Sequence, residues 1–191
     1  MMIEPIVLLI TGLPCTGKTT LGRRIAQEFH WPLVSRDAIK EHLFDTLGWR
    51  DRAWSQQLGR ASYTILHHLA EVFLQSQSSC ILESNFKPAF DTVPFHRFRT
   101  QYQFFPIQIV CQTDGPVLFE RFKQRAASGE RHPGHVDHLN YQEFEHHLLN
   151  SISEPLDIGG AYLIIDTTVF ERIDYPKLFH DIREKIAHRN A

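Results

Sequence analysis

The segment from Gly12 to Thr19 constrains the fold more than any other part of the chain, because it reads Gly-Leu-Pro-Cys-Thr-Gly-Lys-Thr. It matches, without a gap, the pattern of a glycine, four variable residues, Gly-Lys, and then Ser or Thr. The glycines let the backbone curl so that its amide groups face an anion, and a following helix points its N-terminus at the same place. An apolar run precedes the segment and a helical pattern follows it, as this motif requires. The sequence therefore predicts a phosphate-binding loop between a strand and a helix.

The residue types in this loop predict a site for ATP with Mg²⁺. Lys18 is expected to reach the β- and γ-phosphates, and Thr19 to ligate Mg²⁺ through its hydroxyl. The loop residues expected to bind the nucleotide are Gly12, Pro14, Cys15, Thr16, Gly17, Lys18, Thr19 and Thr20. The alternative is a glycine-rich turn without a ligand. Cys15 lies near a helix N-terminus, which can lower a thiol pKa, so a redox role stands beside its reading as a variable small residue.

Five short apolar runs alternate with helical patterns along the chain. Runs that are nearly continuous in apolar residues are typical of strands buried on both faces of a parallel sheet, and their alternation with helices predicts β-α-β units. The expected strands are Ile6–Ile10, Pro32–Ser35, Cys80–Ser84, Pro106–Gln112 and Ala161–Asp166. The sequence thus predicts one three-layer α/β domain over residues 1–191. Two regions are expected as attachments, a helical region at 37–77 that covers the substrate pocket and a lid region at 114–138.

Charge and the remaining motifs exclude several classes of function. The formal net charge is −2, whereas a protein that grips long nucleic acid by its phosphates is usually basic. Extended duplex binding is therefore not expected, although a short or terminal nucleic acid stays open. No segment has the length of a membrane span or the composition of a signal peptide, which favours a cytoplasmic protein without a membrane partner. The oligomeric state is not predicted. A guanine-specific motif and the acidic pair of an ATP-driven motor are both absent.

Asp37 follows the second predicted strand and is the candidate general base. Ligands of parallel sheets lie beyond the carboxyl ends of the strands, so Asp37, expected as a helix N-cap, would stand close to the phosphates. A carboxylate there can accept the proton of an attacking hydroxyl. Lys40 lies one helical turn further and could hold the acceptor or the transferring phosphoryl group. The alternative reads Asp37 as a cap only, and Arg36 and Lys40 as solvated charges.

Three stretches together resemble a family of small bacterial P-loop kinases that are often described as AAA-type ATP-binding proteins. They are the phosphate-binding loop, "SRDAIKEHL" after the second strand and "ILESNF" after the third. The family is similar to the kinase domain of phage polynucleotide kinase and, more distantly, to chloramphenicol phosphotransferase, zeta toxin, and gluconate, shikimate and adenylate kinases. The resemblance covers most of the chain. It implies a P-loop NTPase fold of the nucleoside-monophosphate-kinase type, with a five-stranded parallel sheet flanked by helices.

The resemblance also implies an activity and the residues that carry it. The expected enzyme is a phosphotransferase that moves the γ-phosphoryl group of MgATP to a hydroxyl of a small molecule or a nucleic-acid 5′ end. Asp37 matches the general base, and Lys40 takes the place of a substrate-binding arginine, keeping its charge but losing the planar fork. Glu83 would bind Mg²⁺ through water or orient the acceptor, and Asn85 would hydrogen-bond the acceptor. Arg36 is counted with the substrate-binding residues. Ordinary strand-end turn chemistry is the alternative for Glu83 and Asn85.

The lid region carries three arginines with expected roles. The resemblance implies that Arg121 would pack on the adenine and that Arg125 would reach the transferring phosphoryl group. Arg131 lies beyond Gly129 and is expected to close over the phosphates and bind substrate. A solvated helix face is the alternative for Arg121. The lid histidines His132, His135 and His138 repeat every three residues, but without a nearby cysteine they are expected to be polar side chains rather than zinc ligands.

Two other classes of function stay open. The chain could hydrolyse ATP without an acceptor or bind it as a regulatory module, and the pair Asp37 and Lys40 is the feature against that reading. It could also bind nucleic acid through the aromatic and basic segment Trp49–Arg60, although a helix–helix contact explains that segment as well.

Overall fold

The computed structural model describes residues 4–129, 131–136 and 141–189, without the side chains of residues 141–144. Its five strands form a parallel sheet in the order β2-β3-β1-β4-β5. The strands are β1 (Ile6–Gly12), β2 (Leu33–Ser35), β3 (Cys80–Glu83), β4 (Phe105–Gln112) and β5 (Ala161–Asp166). All five predicted strands are present, with bounds that differ from the prediction by two residues or fewer.

Seven helices connect the strands in the described part of the chain. They are α1 (Lys18–Phe29), α2 (Arg36–Leu47), α3 (Arg52–Gln75), α4 (Pro88–Gln101), α5 (Gly115–Ser128), α6 (Tyr141–Asn150) and α7 (Tyr175–Ala187). Short 3₁₀ turns lie at Pro133–His135 and Phe170–Arg172. None of the helices in this part of the chain is both long and apolar enough to cross a membrane.

Two apolar clusters pack against opposite faces of the sheet. On one face, Leu66 of α3 and Phe95 of α4 pack against alternate residues of β1. On the other, Leu21 of α1 and Leu178 of α7 pack against the intervening residues. β1 lies in the centre of the sheet and is buried along its whole length, which is why its sequence is almost wholly apolar. The predicted three-layer α/β architecture around a five-stranded parallel sheet is therefore confirmed.

The helical region after β2 consists of two helices, α2 and α3. α2 ends at Leu47, and the next residue, Gly48, has a φ of +79° that favours glycine,. α2 begins at Arg36 with Ser35 as its N-cap residue. The prediction that Asp37 caps the helix is therefore wrong. Asp37 lies instead in the first turn, where a carboxylate favours the helix dipole.

One helix carries no clear sequence pattern and was not predicted. α4 starts at Pro88, contains Pro94 and buries only Asp91 and Phe95, so its apolar residues show no helical stripe. It forms because a few of its apolar side chains, such as Phe95 and Phe98, pack against one of the two core clusters, and a stripe-based reading cannot detect that.

Candidate active site

The phosphate-binding loop joins β1 to α1 through two constrained glycines. Gly17 has φ of +82°, and a Cβ atom there would stand 2.5 Å from Cε2 of Phe170. At Gly12 a Cβ atom would stand 2.8 Å from the carbonyl oxygen of Cys111. The loop can therefore curl only because both positions lack a side chain. Thr16 supports the same curl, since its hydroxyl donates a 2.9 Å hydrogen bond to the Leu13 carbonyl.

Lys18 is held inside this loop. Its ammonium donates a 2.8 Å hydrogen bond to the Leu13 carbonyl, and only 7% of the residue is exposed. Burial lowers the pKa of Lys18, and the nearby Glu83 carboxylate partly opposes that shift. The lysine is thus a fixed donor at the N-terminus of α1, an arrangement suited to a triphosphate.

Oxygen-bearing side chains converge next to the loop. Thr19 Oγ1 donates a 3.2 Å hydrogen bond to Oε2 of Glu83, and the Ser35 hydroxyl donates to the same oxygen. Glu83 is 4% exposed. Hydroxyl and carboxylate oxygens are the ligands that Mg²⁺ prefers, often through retained waters, so these residues fit a magnesium ion bound beside phosphates. The sequence reasoning missed Ser35, whose only signal is its place at the end of β2.

Asp37 stands between two guanidinium groups. Arg36 contacts its Oδ1 atom, and Arg131 Nη2 lies 3.1 Å from its Oδ2 atom. Burial alone would raise the pKa of Asp37, but the charges of Arg36 and Arg131 outweigh it and hold the pKa well below its usual range. About a third of the side chain, 34%, is exposed. Asp37 is therefore an ionised carboxylate that a ligand can reach.

Arg36 is fixed by a second set of contacts. Its guanidinium lies over the ring of Tyr63, 4.9 Å from the ring centre. The Tyr63 hydroxyl donates a 3.0 Å hydrogen bond to the backbone carbonyl of Asn85. α3 and the end of β3 thus orient the arginine that faces Asp37.

Segment 131–136 packs on α2, the helix that carries Asp37. Arg131 lies 3.8 Å from Glu41, and His135 Nε2 lies 2.9 Å from the same carboxylate. His132 lies 3.1 Å from Asp45. Burial lowers the pKa of His135, although its contact with Glu41 opposes the shift. The segment is therefore held to α2 by a ladder of ionic and polar contacts.

These contacts bear on the metal alternative for the lid histidines. His132 and His135 each contact a carboxylate of α2, whereas His138 lies outside the described residues. Within residues 4–129, 131–136 and 141–189, no three His, Cys, Asp or Glu side chains are grouped to hold a metal ion.

Arg121 joins α5 to the loop that follows β5. Its Nη1 atom donates a 2.9 Å hydrogen bond to the Thr167 carbonyl, and its Nη2 atom donates one of 2.9 Å to the Thr168 carbonyl. Arg125 follows one turn later on the same helix. The plane of the Arg121 fork is thereby fixed at the rim of the phosphate-binding loop.

One cavity of about 740 Å³ brings these groups together. The predicted site residues that line it are Pro14, Cys15, Gly17, Lys18, Thr19, Thr20, Arg36, Asp37, Lys40, Glu83, Asn85, Arg121, Arg125 and Arg131. Gly12 and Thr16 do not line it and act on the shape of the loop. Lining residues that the sequence did not suggest are Arg23, Ser35, Ala38, Glu41, Gln124 and Ser128. The remaining ones are Arg52, Ser55 and Gln56 of the segment Trp49–Arg60 and His135 of the lid histidines.

The segment Trp49–Arg60 contributes only part of its length to this cavity. Arg52, Ser55 and Gln56 line it, whereas Trp49 is half-exposed elsewhere. Trp54 donates its indole hydrogen to the Gly48 carbonyl and packs under the Arg50 guanidinium. The aromatic residues thus form local contacts at the start of α3.

Comparisons with known proteins agree with the fold of this chain. A protein of Chloroflexus aurantiacus J-10-fl, assigned only provisionally as a kinase, is 40% identical, with a TM-score of 0.87; the match covers 95% of this chain and 98% of that one. A sugar kinase from Janibacter sp. HTCC2649 shares the fold at 13% identity and a TM-score of 0.58, covering 96% of this chain and 95% of that one. A gluconokinase from Sinorhizobium meliloti 1021 also shares the fold, at 15% identity and a TM-score of 0.52; the match covers 97% of this chain and 93% of that one.

A search of curated protein sequences finds no significant match. The family model described as "AAA domain" matches residues 7–148, which include the phosphate-binding loop, Asp37, Glu83 and both arginines of α5. These findings support a P-loop kinase that binds a nucleotide. The chain belongs to the AAA domain family, and its fold is that of the P-loop kinases.

Proposed function

We propose that the chain is an ATP-dependent phosphotransferase that moves the γ-phosphoryl group of MgATP to a hydroxyl of a small molecule or of a nucleic-acid 5′ end. The observation that carries this proposal is that Lys18 and Asp37 line one cavity. A phosphate-binding lysine and an ionised carboxylate on the same space are what a donor and a hydroxyl acceptor require. The likeness to kinases supports the same reading.

At the donor end, each residue keeps the phosphates in place. Lys18 donates to the β- and γ-phosphate oxygens, and Thr19 and Glu83 hold Mg²⁺, Glu83 through water. When bound, Mg²⁺ neutralises negative charge on the phosphates. Arg121 stacks on the base while its fork holds the loop after β5, and Arg125 stabilises charge on the transferring group.

At the acceptor end, Asp37 orients the hydroxyl and takes its proton. Its low pKa makes it a weak base, which suits a reaction in which positioning and electrostatics supply most of the rate. Arg131 now pairs with Asp37, so an incoming hydroxyl must share that carboxylate with Arg131. Arg36, Lys40 and Asn85 complete this end. In this proposal, region 37–77 is the substrate cover and region 114–138 the lid of one domain. We also propose that the enzyme is cytoplasmic.

A transfer screen with γ-labelled ATP tests this function. The acceptors are nucleosides, 5′-hydroxyl oligonucleotides, sugars, and aminoglycoside- or chloramphenicol-like alcohols, each with and without Mg²⁺. Lys18→Met serves as the inactive control. A labelled, Mg²⁺-dependent product from one class supports the proposal. ATP hydrolysis without any labelled product would instead favour the alternative, an ATPase or nucleotide-binding regulatory module without an acceptor.

A further inference from the structure

A closed ring of contacts joins segment 131–136 to α2. Asp37 Oδ2 accepts a hydrogen bond of 3.1 Å from Arg131 Nη2, and the same nitrogen lies 3.0 Å from Nδ1 of His135. His135 Nε2 in turn lies 2.9 Å from Oε1 of Glu41. Glu41 stands four residues after Asp37, so both carboxylates are on one face of α2. The ring therefore begins and ends on the helix that carries the proposed general base.

The chemistry of the guanidinium determines which nitrogen of His135 carries the ring hydrogen. Every nitrogen of an arginine side chain is a donor and none is an acceptor, so Nδ1 of His135 accepts from Arg131 Nη2. The hydrogen of the neutral imidazole is then on Nε2, from which it is donated to the carboxylate of Glu41. Burial lowers the pKa of His135, which favours the neutral form. His135 is thus a neutral Nε2–H tautomer with a directional contact at each nitrogen.

The imidazole ring of His135 is itself held in place. The side chain is 4% exposed, and its ring packs edge-on against the ring of Phe44, with 5.4 Å between the ring centres. The backbone N–H of His135 donates a 3.1 Å hydrogen bond to the His132 carbonyl. A side chain that packing and hydrogen bonds lock in one position can orient the group that it contacts. His135 therefore presents a fixed acceptor to Arg131.

The fixed acceptor determines how Arg131 meets Asp37. Nη2 of Arg131 places its two hydrogens on two acceptors, Nδ1 of His135 and Oδ2 of Asp37. Because the guanidinium is planar, the direction of the first hydrogen bond fixes the direction of the second. Arg36 contacts the other carboxylate oxygen, Oδ1. Two guanidinium groups thereby hold the carboxylate of Asp37 in one plane, and its further lone pairs can accept from an incoming hydroxyl.

We propose that His135 is a positioning residue of the acceptor end, which acts through Arg131 to fix the plane of the Asp37 carboxylate for the hydroxyl that gives up its proton. The inference rests on the proposed function. Misplacing a reacting group by about 1 Å can lower a rate about 100-fold. Loss of the acceptor at position 135 is therefore expected to lower kcat. The KM for ATP is expected to stay the same, because Lys18 holds the phosphates at the other end of the cavity.

Two substitutions separate the two contacts of His135. In His135→Asn, the amide oxygen takes the place of Nδ1 as the acceptor for Arg131, whereas the contact with Glu41 is lost. In His135→Gln, the longer side chain keeps a donor for Glu41, whereas the acceptor for Arg131 is lost. A positioning role predicts that His135→Gln is impaired and that His135→Asn is largely rescued. A role confined to holding segment 131–136 on α2 predicts no such rescue.

Initial rates of the full-length chain with MgATP measure the effect, with water as the acceptor and with any alcohol that the transfer screen identifies. His135→Gln is expected to lower kcat about tenfold or more with KM for ATP within about twofold of the wild type, and His135→Asn to keep kcat within about threefold. His188→Gln is the matched control, because it alters an exposed His–Glu pair at the end of α7. Equal kcat values in the two His135 variants, or a lower value in His135→Asn, would overturn the positioning role.

Nitrogen NMR of the full-length chain, with isotope-labelled arginine and histidine, separates this inference from the proposed function because it needs no turnover. The wild type is expected to show His135 as the Nε2–H tautomer and slow rotation about the bond between Cζ and Nη2 of Arg131. The slow rotation is expected to persist in His135→Asn and to be lost in His135→Gln. That result supports the positioning contact even if nothing is phosphorylated, an outcome that would count against the kinase function alone. An Nδ1–H tautomer, or the same rotation rate in both variants, would overturn the inference.

Discussion

Arg131 Nη2 lies 3.1 Å from Oδ2 of Asp37, which joins segment 131–136 to the first turn of α2. The contact links residues 94 positions apart in the chain. It sets the charge environment of the carboxylate that we propose as the general base. It also places the lid segment where it can respond to whatever occupies the acceptor end of the cavity.

Asp37→Asn is expected to lower kcat for phosphoryl transfer at least about 100-fold, the usual contribution of a positioned general base. Nucleotide affinity is expected to stay within about twofold, because the P-loop contacts of Lys18 do not involve Asp37. Transfer kinetics and nucleotide titration measure the two effects. Asp181→Asn on α7, a partly exposed carboxylate paired with Lys177, is the matched control. Transfer that stays within tenfold of the wild-type rate would remove Asp37 from the proton-accepting role.

Arg131→Gln is expected to move the acid limb of the kcat–pH profile to higher pH. Asp37 must be ionised to accept a proton, so activity falls as the pH drops through its pKa. The charge of Arg131 helps to hold that pKa well below its usual range, and removing the charge raises it. Arg183→Gln, which breaks a surface pair with Glu28, should leave the limb in place. A limb that stays put or moves to lower pH in Arg131→Gln would contradict the electrostatic role.

Arg121→Lys is expected to raise KM for ATP about tenfold or more while the protein stays folded. A lysine keeps the charge but cannot donate to the Thr167 and Thr168 carbonyls at once. The loop after β5, beside which we propose that the adenine binds, therefore loses hydrogen bonds that fix its position. Initial-rate kinetics at saturating acceptor measure the change. Lys123→Gln on the same helix alters surface contacts with Glu120 and with the Phe119 ring and is the control. An unchanged KM would show that the Arg121 fork does not shape the nucleotide site.

The donor half of the site could be predicted from the sequence because its parts are local. Eight consecutive residues form the phosphate-binding loop. The strand before it, β1, can be recognised in the sequence as an apolar run, because it is buried along its whole length. The acceptor half could be predicted only in part. Asp37 and Lys40 follow β2 directly, whereas Ser55 and His135 reach the cavity through packing between distant segments. No local sequence pattern indicates contacts between such distant segments. The only related pattern in this region is the recurrence of Asp37, Glu41 and Asp45 every four residues on α2, which places three carboxylates on one helix face,.

Gly134 is a second residue whose role could not be predicted from the sequence, because that role depends on packing against a distant helix. Nothing in "HPGH" indicates why glycine is needed, and its φ is not positive. The reason lies in Phe44 of α2, whose ring is stacked on His132 with 5.0 Å between ring centres. A Cβ atom at Gly134 would stand 2.6 Å from Cγ of that ring. The glycine is therefore what lets segment 131–136 lie flat on α2.

Gly134→Ala is accordingly expected to lower the free energy of unfolding by about 1–3 kcal/mol, the usual cost of overpacking a close contact. Because the conflict is with the Phe44 ring, the same substitution should cost at least about 0.5 kcal/mol less in a Phe44→Leu background, where contacting residues couple. Urea unfolding of the wild type, the two single variants and the double variant closes this cycle. Equal costs in both backgrounds would show that the ring does not limit how closely the segment approaches α2.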